Sequence, residues 1–453
     1  NVGVSDIKQP LENLTRERIQ IVNSFYRVFG NFNEYEGPDI ASIAHEDGRI
    51  YFYDIFNRKT YAINNDTKGS YAYNGLAIDR GNFDSDVLDE VITINRTGFI
   101  AIIDGNGETI NLINLDITEE IVNVEVFEVA DLDSNGYSDA VMLLAMKSAS
   151  RLFVVINGTP GISEAISVNL TLSDLSLALD AAVGNFSSDA GLEVAIAFAN
   201  GSLVVYNCAF QRVVNQTISD LYRITTISNA SWYYDALLVF TSYEPPIMMT
   251  IYNATTLTPL SYSARVYFYP YLEPETADLD GDSSTEIIIP TSNGFVIYDP
   301  DVNDLTWKTV LFSKAPEYIA TGKITRDDVE DFVISDSDVI FMVKGMKGDE
   351  AIPAIFRKIS EPTFICGFEI LQYDTGLPDL FVLTTSYLYV YKSDSFAPRL
   401  SDLRIYPLRP TVEDGYVAVS VKVVDETDFS NPILTYNVTS LSGASLGQGT
   451  VIM

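Results

Sequence analysis

The strongest pattern along the chain is a repeated order of apolar and polar positions. An apolar strand leads into an acidic or Asn-rich turn, and an acidic residue then opens a strongly apolar run. Repeats of this kind are the first signal of an array architecture. The first turn residues of successive copies stand 42 to 54 residues apart. Taking the first turn residue as position one, we place the copies at Asn31, Asn82, Asp131, Asn185, Ile227, Asp278, Lys323 and Leu371.

This period is that of one four-stranded propeller blade. The predicted second strands, such as Val91–Ile94, are apolar on both faces, as expected for a strand covered on both sides. The predicted third strands, such as Phe99–Ile103, alternate more. Two stacked β-sandwiches would not predict a fixed period. We therefore predict an all-β fold in which residues 1–396 form a β-propeller of eight blades, or of seven if one weak copy is misread.

The repeat stops after Phe396, and the remaining residues predict a second domain. Tyr416–Val424 alternates as a half-exposed strand does, and we predict that Ile433–Val438 is the strand beside it. We expect residues 397–453 to be an immunoglobulin-like or fibronectin-III-like segment. A complete sandwich needs about 100 residues, so we expect this segment to be incomplete and the chain to continue beyond Met453.

The turns of the third and sixth copies carry oxygen side chains at alternate positions. Alternate residues of a tight loop converge on one point. Three or four carboxylates at that point repel one another strongly unless a cation is bound. Hard oxygen ligands in this number favour Ca²⁺ over Mg²⁺. The candidate ligands at positions one, three, five and nine are Asp131, Asp133, Asn135 and Asp139, and Asp278, Asp280, Asp282 and Glu286. Position seven, Tyr137 or Ser284, offers its backbone carbonyl.

Two further copies offer weaker ligand sets, and the other four lack ligands. In the same order of positions, the second copy has Asn82, Asp84, Asp86, Leu88 and Glu90, and the fourth has Asn185, Ser187, Asp189, Gly191 and Glu193. An EF-hand is excluded because the last acid stands at position nine, not twelve. The alternative interpretation is a series of Asx turns with solvated charges.

These turns resemble the FG-GAP/VCBS repeats of integrin-α-type propellers. The match is carried by Asp131-Leu-Asp-Ser-Asn-Gly-Tyr-Ser-Asp139 and Asp278-Leu-Asp-Gly-Asp-Ser-Ser-Thr-Glu286, and the repeats span residues 20–395. The resemblance implies a propeller whose Ca²⁺ ions support loops on one face, and a role in adhesion or surface architecture. The chain departs from the family in having eight apparent repeats, of which half lack ligands, and no inserted ligand-binding domain.

Charge and hydropathy narrow the partners. The formal net charge is −34, so a nucleic-acid partner is excluded, since phosphate binding needs a basic face. Anionic membrane surfaces are disfavoured for the same reason. No uncharged apolar stretch is long enough for a transmembrane helix.

Eleven Asn-X-Ser/Thr sequons predict a glycosylated protein outside the cell. We expect Asn185 to stay unmodified, because its side chain would face a cation inside a tight turn. The expected acceptors are Asn13, Asn65, Asn95, Asn157, Asn169, Asn200, Asn215, Asn229, Asn253 and Asn437.

No catalytic constellation stands out. His45 is the single histidine, in a predicted turn, so neither a Ser-His-Asp triad nor a His-based zinc site can be assembled around a second one. We expect a non-enzymatic, calcium-binding glycoprotein of the cell surface, serving adhesion, a surface layer or a filament. Its partners would be other surface proteins, glycans or further copies of itself. The few basic residues, histidines and cysteines are typical of an archaeal exterior. The alternative is a secreted carbohydrate-active enzyme such as a propeller-fold polysaccharide lyase.

Overall fold

The structure of the protein is a computed structural model, and every described element in it is a β-strand. It describes residues 16–21, 24, 26–34, 38–44, 48–64, 75–84, 86–148, 150–158, 178–188, 191–228, 234–242, 247–266, 274–291, 294–300, 304–308, 316–324, 329–336, 339–345, 354–360, 365–371, 378–384, 387–391, 399–406, 418–424, 433–439 and 445–452.

Within these residues, eight antiparallel sheets follow one another along the chain. The first four, strand by strand, are β2 (Tyr26–Gly30), β3 (Asp39–Ile43), β4 (Ile50–Asp54) and β5 (Lys59–Asn64); β6 (Gly75–Gly81), β7 (Glu90–Asn95), β8 (Phe99–Ile103) and β9 (Thr109–Asn114); β10 (Ile121–Ala130), β11 (Asp139–Met146) and β12 (Arg151–Ile156); and β13 (Ala178–Gly184), β14 (Glu193–Phe198), β15 (Ser202–Tyr206) and β16 (Arg212–Thr217).

The next four sheets complete the series. They are β17 (Leu221–Ile227), β18 (Ala236–Thr241), β19 (Ile247–Asn253) and β20 (Thr258–Val266); β21 (Glu275–Ala277), β22 (Glu286–Thr291), β23 (Gly294–Asp299) and β24 (Asp304–Lys308); β25 (Tyr318–Gly322), β26 (Asp331–Asp336), β27 (Val339–Lys344) and β28 (Ala354–Ser360); and β29 (Ile365–Leu371), β30 (Asp379–Thr384) and β31 (Tyr387–Tyr391), joined by β1 (Arg16–Gln20).

The sheets are the blades of a β-propeller, and the described strands give eight of them. The eighth blade takes its outermost strand from the start of the chain. Strand β1 pairs antiparallel with β31, with Arg16 opposite Tyr391. This pairing joins the two ends of the repeat array and was not predicted from the sequence.

Eight apolar layers, one between each pair of neighbouring blades, hold the ring together. The layer between the second and third blades, for example, packs Phe83, Ile92 and Ile102 against Met142 and Val154. The layer between the eighth and first blades packs Phe381 and Val390 against Phe29, Ile40 and Tyr53. Corresponding clusters occupy the other interfaces. Burial of apolar side chains on both faces of each blade is thus the main source of stability.

Burial explains why one strand prediction is confirmed and another is wrong. The second strands β7, β14 and β22 are buried at every position, as predicted. The third strands are also buried almost throughout, including β8 after its first residue, although the sequence predicted more alternation. The alternation belongs to the fourth strands, such as β9, because they lie at the rim where only one face is covered.

Strand pairing corrects the sequence alignment in two copies. In the second blade Gly81, the residue before position one, lies opposite Glu90 at position nine. The equivalent pairs are Ile227 opposite Ala236 and Leu371 opposite Asp379. Ile227 and Leu371 therefore end first strands and do not begin turns. Position one of the fifth copy is Ser228, and the eighth turn is one residue shorter than the others.

The C-terminal segment has strands, but in a different pairing from the one expected. Strand β33 (Ala418–Val424) pairs with β32 (Arg399–Tyr406), and β34 (Ile433–Thr439) pairs with β35 (Ser445–Ile452). The strands predicted as neighbours thus lie in separate two-stranded sheets. The boundary at residue 397 and the immunoglobulin-like character of the segment stay predictions.

In the described part of the chain, no helix has the length and hydropathy needed to cross a membrane.

Candidate metal centres

In the turn between the first and second strands of a blade, the residues at positions two and nine make recurring contacts. The position-two residue is apolar and enters the layer between blades, as Phe83 and Leu132 do. The backbone N–H of that residue donates to the position-nine carboxylate. The donor-to-acceptor distance is 2.5 Å from Phe83 to Glu90 and 2.7 Å from Leu132 to Asp139. The same bond occurs in the first, fourth, sixth and seventh blades, from Phe32, Phe186, Leu279 and Ile324 to Asp39, Glu193, Glu286 and Asp331.

Between positions two and nine, the chain forms successive Asx turns. In the third blade, Asn135 N–H donates to Asp133 Oδ1 over 3.2 Å, and Tyr137 N–H donates to Asn135 Oδ1 over 2.8 Å. Positions three, five and seven of the second and sixth blades repeat both bonds. Side-chain oxygens that bond backbone N–H groups two residues on are held on the inner side of the turn. The local sequence therefore brings the side chains at alternate turn positions together.

The sixth blade brings together the predicted Asp278, Asp280 and Asp282, with one carboxylate oxygen of each within 4.8 Å of the others. Both Asp278 oxygens also accept turn N–H groups, from Gly281 and Ser283. Burial is the main reason that the pKa of Asp280 is raised to about 6, and repulsion from the neighbouring Asp282 contributes to that value. Three carboxylates at this separation favour a bound cation, since each disfavours ionisation of the others.

The third blade brings together Asp131, Asp133 and Asp139 within the same limit of 4.8 Å. Burial is the main reason that the pKa of Asp139 is raised to about 6, and Asp133 and Asp131 add to it. The predicted ligand Asn135 uses its Oδ1 within the turn and donates from Nδ2 to Gly158 O over 2.9 Å. The backbone carbonyl predicted for Tyr137 stays a prediction.

The second blade brings together Asp84, Asp86 and Glu90. Burial, with added repulsion from Asp84 and Asp86, raises the pKa of Glu90 to about 8. Glu90 is fully buried, and its Oε1 has no hydrogen-bond partner, although Oε2 is held by Phe83. Asn82 Oδ1 is likewise buried without a partner. Two unpartnered acceptor oxygens next to two carboxylates are what a cation site without its ion presents.

The fourth blade differs, because its position-nine acid is satisfied by the protein. Ser187 Oγ donates to Glu193 Oε1, the oxygen that corresponds to the unpartnered one in Glu90. Asp189 lies outside the described residues, and Gly191 has a positive φ of 101°. Asn185 is exposed, so the expected enclosure of its side chain is wrong. The ligand set predicted for this blade is the least supported of the four.

Sequence reasoning missed an acidic position at the end of the third strand. Asp54 pairs directly with Asp39, and Asp299 and Asp104 lie at the corresponding place beside Glu286 and Glu90. Asp299 falls within 4.8 Å of Asp280 and Glu286. The signal was present as an Asp or Asn that ends the third apolar run in six copies, at Asp54, Asp104, Asn157, Asn207, Asn253 and Asp299.

The missed position varies in charge with the turn it faces. It is acidic in the first, second and sixth blades and an Asn in the third, fourth and fifth. In the seventh blade, where Lys323 replaces the first acid, it is Lys344. Lys392 follows the third strand of the eighth blade in sequence and lies outside the described residues. The first turn, predicted to lack ligands, has two buried carboxylates in Asp39 and Asp54, and burial raises the pKa of Asp39 to about 7.

A close approach of two backbones completes the third-blade site. Gly158 N–H donates to Asp139 Oδ1 over 2.7 Å. A Cβ at Gly158 would lie 2.2 Å from the carbonyl oxygen of Ser138, so only glycine permits this approach. Both Asp139 oxygens are therefore engaged by backbone N–H groups, which leaves their remaining lone pairs for a cation.

The turns of the second and sixth blades are also bonded to the next blade. Asn82 N–H donates to Ser138 Oγ over 3.0 Å, and Ser138 N–H donates to Asn82 O over 2.6 Å. Asp278 and Glu330 exchange the corresponding pair of bonds at 2.9 Å each. Position one is a predicted ligand, so a cation in one turn would stabilise the contact with the following blade.

The predicted glycan acceptors differ in accessibility. Asn200 and Asn215 are exposed. Asn95 is buried, and Asn157 points Nδ2 at Asp133 with its Oδ1 buried. Asn253 is half-buried. The acceptors at Asn13, Asn65, Asn169 and Asn229, the side chain of Asn437, and His45 lie outside the described residues.

The arrangement is similar to that of solved propellers. The Dos1 propeller has a TM-score of 0.57 and 10% identity, covering 83% of this chain and 94% of that one. The C-terminal WD40 domain of Sif2 has a TM-score of 0.54 and 11% identity, covering 82% of this chain and 97% of that one. The V. cholerae biofilm matrix protein Bap1 has a TM-score of 0.54 and 10% identity, covering 82% of this chain and 88% of that one. No protein-family model and no curated protein matches the chain. These likenesses concern the fold, and the protein is an all-β propeller.

Proposed function

We propose that the protein is a non-enzymatic, extracellular, calcium-binding glycoprotein that serves cell-surface adhesion or architecture. The observation that carries the calcium part is the pair of buried, unpartnered carboxylate oxygens, Glu90 Oε1 and Glu286 Oε1, each next to two further carboxylates. A buried acceptor without a partner costs about 1–3 kcal/mol. A bound cation removes that cost and the repulsion between the carboxylates together.

The donor set supports Ca²⁺ in preference to other ions. The three predicted clusters offer carboxylate oxygens and no His or Cys among the described residues. Oxygen-only sites are typical of Ca²⁺ and Mg²⁺, and irregular turns that supply oxygens at alternate positions suit the larger ion with its flexible coordination. The FG-GAP/VCBS resemblance of these turns belongs to the same proposal.

The clusters lie in equivalent turns of one ring, which supports a bracing role. Each turn joins the first strand of a blade to its second, and position one of the second and sixth blades is bonded to the next blade. An ion that binds only the folded ring stabilises it by mass action. A rigid, acidic ring with a net charge of −34 suits a scaffold at a surface rich in divalent cations.

Glycosylation is the part of the proposal that places the protein outside the cell. Asn200 and Asn215 lie in exposed sequons, and Asn185 is exposed as well. A glycan needs a solvated acceptor, so the side chains at Asn95 and Asn157 are poor acceptors in the folded protein. The immunoglobulin-like segment predicted for residues 397–453 would hold the propeller away from the surface to which the protein is attached.

Mass spectrometry of glycopeptides from native material tests this proposal. We expect sugars on Asn200 and Asn215, and bare Asn95 and Asn157. Bare asparagines at every sequon would contradict an exterior glycoprotein. Modified Asn157 would show that its side chain does not face Asp133 in the mature protein.

A further inference from the structure

The sixth blade also brings two of the predicted turn ligands, Asp280 and Glu286, together with an acid from outside the turn, Asp299. Strand pairing sets Ile287 opposite Tyr298, which brings the adjoining Glu286 and Asp299 side by side at the ends of β22 and β23. Their carboxylates and that of Asp280 have oxygen atoms within 4.8 Å of one another. Glu286 is 4% exposed and Asp299 is 7% exposed. Three elements of the blade, the turn and two strands, therefore each contribute one acid to a buried point.

One oxygen of this group has no partner in the protein. Glu286 Oε2 accepts the N–H of Leu279 over 2.6 Å, which fixes the orientation of the carboxyl group. Its other oxygen, Oε1, is buried and makes no hydrogen bond. The charged groups that act most strongly on Glu286 are Asp280, Asp299 and Asp282, all of them acidic. An unpartnered buried oxygen surrounded by like charges is satisfied by a cation and not by a further hydrogen-bond acceptor.

This group differs from the ligand set predicted for the turn in containing Asp299, which lies outside the turn motif. Asp278, Asp280 and Asp282 form a turn cluster within 4.8 Å of one another, and only Asp280 of these three also belongs to the group of Glu286 and Asp299. Five carboxylates in one blade end carry more negative charge than one divalent ion neutralises. A shared carboxylate can bridge two ions, as in other sites with two neighbouring metals.

We propose that Asp280, Glu286 and Asp299 form a divalent-cation site between the second and third strands of the sixth blade. The site rests on the proposed function in taking Ca²⁺ as its ion, but its third-strand ligand lies outside the repeated turn motif. The ion joins β22 to β23, whereas an ion in the turn joins the first strand to the second. In the second blade, Asp104 occupies the position of Asp299 and is the next candidate for such a ligand. In the third blade, Asn157 occupies that position and offers an uncharged ligand.

The variant Asp299→Asn tests the site by the direction of its effect. Without metal, the variant removes one of three mutually repelling carboxylates, so the full chain melts at a higher temperature than wild type. With Ca²⁺ in excess, the variant lacks a ligand, so it melts at a lower temperature than wild type. Direct titration with Ca²⁺ shows at least about a tenfold loss of affinity at one class of site.

Two further variants make the result specific. Asp220→Asn, at an exposed turn residue, is the matched control and leaves melting unchanged with and without Ca²⁺. Asp282→Asn removes a ligand of the turn cluster alone and leaves the response to Asp299→Asn in place. Melting of Asp299→Asn below wild type in both conditions would show a structural role and overturn the inference.

The outcomes separate this inference from the proposed function. If Ca²⁺ stabilises wild type and Asp282→Asn weakens that effect but Asp299→Asn does not, the turn site stands and the inner site is overturned. If Ca²⁺ has no effect on wild type, both fail. If Asp299→Asn alone abolishes the Ca²⁺ response of the sixth blade, the inner site stands and the turn cluster is not a ligand set.

Discussion

Asp331 lies in a blade whose turn has Lys323 in place of the first acid, so its substitution tests the structural role of the position-nine acid. Its side chain is fully buried at the start of β26. Oδ2 accepts the N–H of Ile324 over 3.1 Å, and Oδ1 accepts the N–H of Gly345 over 3.1 Å. One carboxylate thereby joins the turn to the residue that follows the third strand. The substitution Asp331→Asn keeps the shape and removes one acceptor.

The expected cost follows from these two bonds. An amide has one oxygen, so its NH₂ group must face the N–H of either Ile324 or Gly345, and two buried donors then lack an acceptor. An unsatisfied buried donor costs about 1–3 kcal/mol, and the remaining bond loses its charge assistance. We expect the free energy of unfolding to fall by about 2–4 kcal/mol.

Urea unfolding in excess chelator measures this loss without any contribution from metal. Asp220→Asn is again the matched control, because the same chemical change there affects an exposed side chain. A free energy of unfolding for Asp331→Asn within about 0.5 kcal/mol of wild type would refute the structural role of the position-nine acid.

Two further predictions concern the core and the carboxylates. Phe83→Ala should lower the free energy of unfolding by about 3–5 kcal/mol, because Phe83 is fully buried. Val87→Ala in the same turn should change the free energy of unfolding little, because Val87 is 88% exposed. Equal effects of the two substitutions in urea unfolding would contradict the packing of Phe83 between the blades. Burial raises the pKa of Glu90 and Glu286 to about 8, so their ionised forms disfavour folding. In chelator, stability should therefore fall as the pH rises from about 4.5 to about 8, between the unfolded and the folded pKa, and Ca²⁺ should remove that trend. Melting curves that show no such fall over this range would contradict the prediction.

The repeat and the positions of its ligands could be predicted because they depend on local sequence. The order of apolar strand, acidic turn and apolar strand predicts a blade, and alternate acids such as Asp131 and Asp133 converge through turn bonds two residues long. The structure confirms the propeller and, among the strands that it describes, eight blades and the burial of the second strands.

What could not be predicted depends on contacts between distant residues. Asp299 reaches Glu286 only through strand register, and a one-residue slip would move it to the other face. The same is true of β1, whose partner β31 lies at the far end of the repeat array. Asn185 faces solvent although its motif position predicted enclosure, and Ser187 satisfies Glu193 where a cation was expected. A local sequence pattern does not show which distant side chain or ion will satisfy a given carboxylate.

Thermal melting of the full chain with Ca²⁺ and with excess chelator tests the central claim most directly. The clusters at Asp84, Asp131 and Asp278 lie in a folded ring and would be dispersed on unfolding. An ion bound only by the folded protein adds about 2.7 kcal/mol at a concentration 100 times its dissociation constant. We predict a melting temperature that rises with Ca²⁺ and rises less with Mg²⁺ at the same concentration. The same melting temperature in Ca²⁺ and in chelator would contradict a calcium-braced propeller.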